Sequence, residues 1–324
     1  MTNRFRLLFL PPQTDAARGF AARLQAEVPE ALVTVADTAA EAEAAIATAD
    51  AAFGTIPPAL LARAGRLRWL QAPQAAPPAG YYTPGLISHP VAVTNFRGIY
   101  NDHIAAHILA FVLAFARDFH TYLRLQAERR WQPRPLDTGV IHLPAATALI
   151  VGAGGIGAEA ARLLAAFGVR VLATDARRAD TPPGIAALHP PEALDELLGQ
   201  ADFVILTVPH TPATEGMMDR ARFRRMKPGA FFINIGRGRT TRLDDLVAAL
   251  EAGEIAGAGL DVFETEPLPA DHPLWTLPGV LITPHTAGYG PELDQRRYAV
   301  LAANARAFAA GGPLMNLVDK AGWF

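Results

Sequence analysis

The sequence predicts an α/β protein made of two doubly wound parallel-sheet domains. Three features of the 324-residue chain predict it: a βαβ rhythm up to about Asn95, a second and longer series of apolar strand candidates beginning at TALIV, and a helix-patterned stretch between the two. The length also exceeds the roughly 100 to 200 residues of one domain, so two are expected.

In the first series RLLFL, ALVTVA, AAFGTI, RLRWLQ and VAVTN are short apolar runs, and AARLQAEV and TAAEAEAAIATA between the early ones have helical spacing. The last two runs are parted by QAPQAAPPAGYYTPG, whose prolines and glycines make it a loop. From Asn101 to about Arg130 the pattern is that of one long helix. Its apolar residues Ile104, Ile108, Leu109, Phe111, Val112, Leu113 and Phe115 cover more than half the circumference, which implies burial against more than one surface. The second series offers six strands: TALIV, RVLATD, ADFVILTVP, AFFINIGRG, IAGAGLDVF and VLITPH. AEAARLLAAF, LDELLGQ and LDDLVAALEAG between them are amphipathic, as helices packed on a parallel sheet must be. A final helix is expected over about Pro291 to Ala310.

Composition narrows the function classes. With 51% hydrophobic and 19% charged residues the chain can bury a large core. Lys plus Arg number 29 against 31 for Asp plus Glu, a net charge of -2 that provides no broad basic field for nucleic acid. No cysteine is present, which excludes disulfides, thiolate metal sites and a cysteine nucleophile and fits a reducing cytoplasm, the expected location. The N-terminal LLFL is stopped by Pro11 and Pro12, too short for a signal-peptide core, so secretion is not expected. The uncharged stretch from Val140 to Ala158 is broken by Pro144 and glycines, so no membrane span is expected.

Gly152, Gly154 and Gly157 form G-x-G-x-x-G directly after the strand ALIV and at the mouth of a helix. In that context the first glycine permits the tight turn, the second lets backbone approach a pyrophosphate, and the third allows close helix packing, while the helix N-terminus offers free N–H groups to the anion. About 20 residues on, the strand VLAT ends in Asp175, where an acid accepts hydrogen bonds from an adenosine ribose. The two signals together predict a Rossmann-like dinucleotide site. An acid there repels a 2'-phosphate, so NAD is the expected cofactor; Arg177 and Arg178 follow it, and through them NADP stays open as the alternative.

Three further segments, NIGRG, DVFETEP and TPHTAG, end strands of the second series, where ligands of open α/β sheets sit. With GAGGIG at 152 to 157, VPHTPATEG at 208 to 216, INIGRG at 233 to 238, GLDVFETEPLP at 259 to 269, TPHTAG at 283 to 288 and the terminal NLVDKAGWF, the chain resembles the D-isomer-specific 2-hydroxyacid dehydrogenases, which include glyoxylate and hydroxypyruvate reductases, phosphoglycerate dehydrogenase and formate dehydrogenase. The resemblance implies that Arg237 binds the carboxylate of a small 2-keto acid and polarises its carbonyl. It implies that His285 is the acid/base, and that Glu266 orients it. A guanidinium is a planar fork of donors that stays charged, as an anionic substrate requires. Formate dehydrogenases place Gln where Glu266 stands, so formate is disfavoured. The cofactor contacts implied are Gly152, Gly154, Gly155, Ile156, Gly157, Asp175, Val208, Pro209 and Ile235, with Asp261 accepting the nicotinamide carboxamide.

The same resemblance places the substrate domain in two pieces, 1–100 and 290–324, with the NAD-binding domain, 101–289, inserted between them. Substrate contacts are expected from Phe53, Gly54 and the loop Gln74 to Tyr82, chiefly Ala75 and Ala76; this loop reads QAAPPAGYY where relatives often carry a Gly-containing turn, and Tyr81 or Tyr82 could instead be packing there. His103 and His107 stand four apart on the long helix, but no third ligand is evident and no metal is expected. Ala106 stands where relatives commonly have Glu. The helix is similar to a dimer-forming segment of the family, so a homodimer is expected. The alternative function is a non-catalytic NAD(H)-sensing binding protein, against which the complete Arg, Glu, His set argues.

Overall fold

The computed structural model describes residues 3–77, 80–135 and 139–322. The chain divides into two compact units, Met1–Ile99 with Pro291–Phe324, and Tyr100–Gly290.

The first unit runs β1 (Phe5–Phe9), α1 (Asp15–Glu27), β2 (Ala31–Val35), α2 (Ala39–Ile46), β3 (Ala51–Phe53), α3 (Pro58–Leu61), β4 (Trp69–Gln71), α4 (Pro84–Ser88) and β5 (Ala92–Thr94), and is completed by the last helix, α11 (Leu293–Ala310). Thr14 and Thr38 start α1 and α2 by accepting Ala17 N and Glu41 N on their hydroxyls, satisfying donors that the first turn leaves free. The five strands are all parallel, in the order β2-β1-β3-β4-β5. Each of the five apolar runs read from the sequence is a strand. A buried chain of hydrogen bonds, Trp69 Nε1 to Thr94 Oγ1 (2.8 Å) and Thr94 Oγ1 to Gln71 Oε1 (2.7 Å), continues through Asn304, whose Oδ1 accepts Met315 N at 2.7 Å. It pins the C-terminal segment to the sheet.

The second unit runs α5 (Asn101–Ala116), α6 (Phe119–Ala127), β6 (Thr147–Val151), α7 (Gly155–Ala166), β7 (Arg170–Thr174), β8 (Ala187–His189), α8 (Leu194–Leu197), β9 (Phe203–Leu206), α9 (Arg220–Phe223), β10 (Phe231–Asn234), α10 (Leu243–Glu251), β11 (Gly257–Leu260) and β12 (Val280–Ile282). Its seven parallel strands lie in the order β12-β11-β10-β9-β6-β7-β8. Alternate residues feed separate cores on the two faces: Ala148, Ile150, Phe203 and Ile205 on one, Leu149, Val151, Val204 and Leu206 on the other. Central strands buried on both faces read as unbroken apolar runs, which is why the sequence shows them so clearly. β6 pairs with β7 on one side and β9 on the other, and this reversal opens a crevice at their carboxyl ends.

Two expectations are corrected here. The stretch from 101 to 130 is not one helix; α5 and α6 are separate and bent by 76°. The break is at Asp118, buried with φ 59°, whose carboxylate is held by Arg134 Nη1 at 2.8 Å and lies 3.4 Å from His120 Nε2. Aspartate visits the left-handed region more readily than most residues, and the pairing of its buried carboxylate with the half-exposed Arg134 holds it there. The sheet also has a seventh strand, the half-buried three-residue β8, which the sequence reading did not assign.

Candidate active site

The glycine turn stands at the crevice. Gly152, with φ 101°, makes the turn, and Thr207, one residue past β9, donates Oγ1 to the Gly152 carbonyl at 2.6 Å. Gly154 is the N-cap of α7 and has open space where a side chain would begin. At Gly157 a Cβ would stand 2.1 Å from the Gly152 carbonyl oxygen, so only glycine permits α7 to pack this closely. Val208 reaches the same turn, its amide nitrogen 3.2 Å from the Cβ position of Gly152 and its carbonyl 2.6 Å from that of Gly236. Ile235 is buried and Ile156 packs on the first core. These residues fit a dinucleotide: an open glycine cap, free helix N–H groups and a third glycine required by packing.

Asp175 follows β7. Its Oδ1 accepts the amides of Arg177 and Arg178, both at 2.9 Å, so the acid also shapes the turn that presents these cations. Arg178 reaches back to the Ala153 carbonyl (3.0 Å) inside the glycine turn and pairs with Asp180.

Arg237 follows β10. Buried Asn234 shapes that turn, donating Nδ2 to the Arg237 carbonyl (3.2 Å) and Thr241 Oγ1 (3.1 Å) while its Oδ1 accepts Gly236 N (2.9 Å). Arg237 Nη1 donates to the Gly236 carbonyl at 2.6 Å. Burial pushes the Arg237 pKa down and the Glu266 carboxylate works against that shift. The guanidinium remains a cation. At Gly238 a Cβ would lie 1.9 Å from the Phe263 carbonyl, so the Arg237 turn abuts the loop that carries Glu266.

Glu266 accepts Phe263 N on Oε1 at 2.9 Å and faces His285 Nδ1 with Oε2 at 2.7 Å. A carboxylate only accepts, so Nδ1 carries a proton and Nε2 is left to exchange one. His285 follows β12 with φ 55°, a left-handed backbone conformation. Asp261, at the end of β11 and 2% exposed at its side chain, supports it: its carbonyl accepts His285 N (2.9 Å), Oδ1 accepts Thr286 N (2.8 Å) and Oδ2 accepts Ala287 N (3.0 Å). The structure thus brings Arg237, Glu266, His285 and Asp261 onto adjoining strand ends of one unit.

The expected substrate contacts lie in the first unit and fare differently. The Phe53 ring is buried against Phe9, centroids 4.8 Å apart, so its side chain belongs to the core. Gly54 donates its N–H to the Gln71 carbonyl and accepts Tyr81 Oη at 3.0 Å, so both its backbone groups are engaged within the protein. Tyr81 and Tyr82 are buried edge to face, which selects packing for them; burial raises both phenol pKa values, that of Tyr82 to about 12. Ala75, half-buried, accepts Asn95 Nδ2 on its carbonyl at 2.8 Å, and Ala76 is exposed. Pro78 and Ala79 of this loop, and Trp323 and Phe324 of the terminal motif, lie outside the described residues. The sequence reading missed Thr207, Asn234 and Thr283. Their signal was a lone polar residue closing an apolar run, in VILT, FFIN and VLIT.

Fold and site define a nicotinamide-dinucleotide-dependent oxidoreductase. The profile of the D-isomer specific 2-hydroxyacid dehydrogenase NAD binding domain matches residues 109–287. A glyoxylate reductase of Korarchaeum cryptofilum is 37% identical over 233 residues, 71% of this chain and 70% of that protein. A D-isomer specific 2-hydroxyacid dehydrogenase from Xanthobacter autotrophicus Py2, solved with NADPH and MES, superposes with a TM-score of 0.85 at 30% identity, covering 99% of this chain and all of that one. An NADPH-dependent glyoxylate/hydroxypyruvate reductase from Sinorhizobium meliloti, solved with NADP and sulfate, has a TM-score of 0.82 at 26% identity, covering 99% and 100%. The chain belongs to the D-isomer specific 2-hydroxyacid dehydrogenase family and is an NAD(P)-dependent enzyme of that kind.

Proposed function

We propose that the enzyme reduces a small 2-keto acid of the glyoxylate or hydroxypyruvate class to the D-2-hydroxy acid, with His285 as acid, Glu266 orienting it and Arg237 holding the carboxylate and polarising the carbonyl. The observation that carries this reading is the 2.7 Å Glu266–His285 pair, with Glu266 on a loop that abuts the Arg237 turn. When bound, the cofactor supplies a hydride. Arg237 stabilises the negative charge that develops on the carbonyl oxygen. His285 delivers the proton from Nε2 while Glu266 keeps the Nδ1 proton and balances the imidazolium. In oxidation the neutral ring takes that proton back. Asp261 already accepts two hydrogen bonds on Oδ1 and one on Oδ2. One acceptor position on Oδ2 is left for the carboxamide.

Asp175 supports NAD as the preferred cofactor, and the flanking Arg177 and Arg178 support use of NADP. The reading includes a homodimer, supported by exposed Phe119 (56%), Leu123 (56%) and Trp131 (99%) on α6 and the segment after it. A molar mass by light scattering tests that part. The function is tested by following NADH and NADPH oxidation against a panel of 2-keto acids. Tight NADH binding with no turnover on any of them would leave a cofactor sensor instead.

A further inference from the structure

We propose that His107 and Thr283 are positioning residues for His285, acting through Asp261. The inference rests on the reading of His285 as the acid. A histidine in the left-handed region must be held there by its surroundings. Three consecutive amides, of His285, Thr286 and Ala287, all bond to Asp261, through its carbonyl, Oδ1 and Oδ2 respectively. One aspartate therefore fixes the turn on which the imidazole is mounted.

What fixes the aspartate is a second chain of hydrogen bonds. Thr283 Oγ1 lies 2.6 Å from Asp261 Oδ1, and His107 Nε2, on α5, lies 2.9 Å from Thr283 Oγ1. Asp261 Oδ1 also receives Thr286 N, so the carboxylate is an acceptor on both sides. The threonine has a single hydroxyl proton, and it goes to the carboxylate. His107 Nε2 must then be the donor to Thr283. The sense of the chain is determined throughout: His107 N–H to Thr283 O–H to Asp261 carboxylate. The His107 ring is itself set edge-on against Phe111, centroids 4.8 Å apart and planes at 87°, and Phe111 lies over Gly259 of β11, where a Cβ would approach its ring to 2.8 Å. The donor is thus anchored to the helix and to the strand that carries Asp261. Without it the hydroxyl loses the donor that directs its proton to Asp261, the carboxylate is left with the Thr286 and Ala287 amides as its anchors, and the turn that aligns the His285 ring with Glu266 loosens.

The test uses the full-length enzyme with paired variants. His107→Leu and Thr283→Val remove the chain; His107→Gln and Thr283→Ser restore a donor and a hydroxyl at about the same reach. We expect kcat for keto-acid reduction to fall at least tenfold in the Leu and Val variants, with the keto-acid KM changed less than twofold, and to recover to within about threefold in the Gln and Ser variants. In the cofactor-free protein, amide hydrogen exchange at Thr286 and Ala287 should speed up at least tenfold in the Leu and Val variants, while Gly152 N, bonded to the Thr174 carbonyl, keeps its protection. If His107→Leu does not fold, the Thr283 pair decides alone. Unchanged kcat in the Leu or Val variant, or Gln and Ser variants as impaired as Leu and Val, would overturn the proposal, as would unchanged exchange at Thr286 and Ala287. His285→Asn separates the two readings: if it still turns over, His285 is not the acid, whatever the exchange data show for the chain.

Discussion

Replacing Glu266 by Gln keeps the shape of the side chain and removes its charge, and the surrounding donors determine the cost. Both of its partners are donors: Phe263 N at 2.9 Å and the protonated Nδ1 of His285 at 2.7 Å. A carboxylate accepts both, whereas an amide has one oxygen to offer and must turn its NH2 toward the other donor. A charge-assisted hydrogen bond contributes about 1.5 to 3 kcal/mol. The His285 side chain is 49% exposed and that of Glu266 36%, so solvent screening places this pair at the lower end. Losing about 1.5 to 2 kcal/mol from the transition state lowers kcat roughly 10- to 30-fold. The loss is larger if the amide nitrogen faces the ring, because Nδ1 must then be an acceptor and the neutral ring carries its one proton on Nε2, where it is too weak an acid to give it up. NADH oxidation at saturating keto acid gives kcat, NADH fluorescence titration should stay within about twofold of wild type, and a deuteride isotope effect shows whether hydride transfer limits the rate. A Glu266→Gln enzyme within twofold of wild type, with the full isotope effect expressed, would refute the role of Glu266 as the residue that orients His285.

Arg237→Ala should lower kcat/KM for keto-acid reduction by about 10² to 10³, or about 3 to 4 kcal/mol, with NADH binding retained; near-normal turnover would remove Arg237 from the mechanism. Asp175→Ala should narrow the preference for NADH over NADPH, since it removes a ribose acceptor and a negative charge beside Arg177 and Arg178; kcat/KM with each cofactor measures it, and a wild type that already favours NADPH contradicts the reading. Acid should destabilise the fold before the carboxylates titrate. Burial holds His107 and His120 below the ordinary histidine value, so the unfolded chain binds these protons first, and the stability they contribute is complete above about pH 6.5 and lost as pH falls below it. Each costs at most about 1.4 kcal/mol per pH unit, and urea midpoints that are equal at pH 7.5 and 5.5 would contradict this.

Legibility followed burial. β1 to β5 and the six longer apolar runs of the second series were readable because strands covered on both faces must be apolar throughout, and helices between them must be one-sided. β8 escaped because Ala187–His189 is a half-buried edge strand of three residues with no run to announce it. The break at Asp118 escaped because no Gly or Pro marks it; a buried carboxylate paired with Arg134 holds the backbone there, and that pairing spans sixteen positions of sequence. At the site, motif and spacing singled out the glycines and Asp175, and the family resemblance singled out Arg237, Glu266 and His285. They did not reveal that Asp261 secures three successive amides, or that His107 donates to Thr283, because those partners lie 22 to 26 and 176 positions apart. A strand-end aromatic such as Phe53 looks the same in sequence whether its ring points to a ligand or into the core, and here the ring lies in the core.

Gly238 has one more implication. The Phe263 carbonyl stands where its side chain would start, so the spacing between the Arg237 turn and the loop that carries Glu266 is a property of two abutting main chains. Neighbouring side chains can drift without disturbing that spacing. The exposed side chains of Arg239 and Thr265 take no part in that approach. A single methyl group at 238 would force the Arg237 turn away from the loop that carries Glu266.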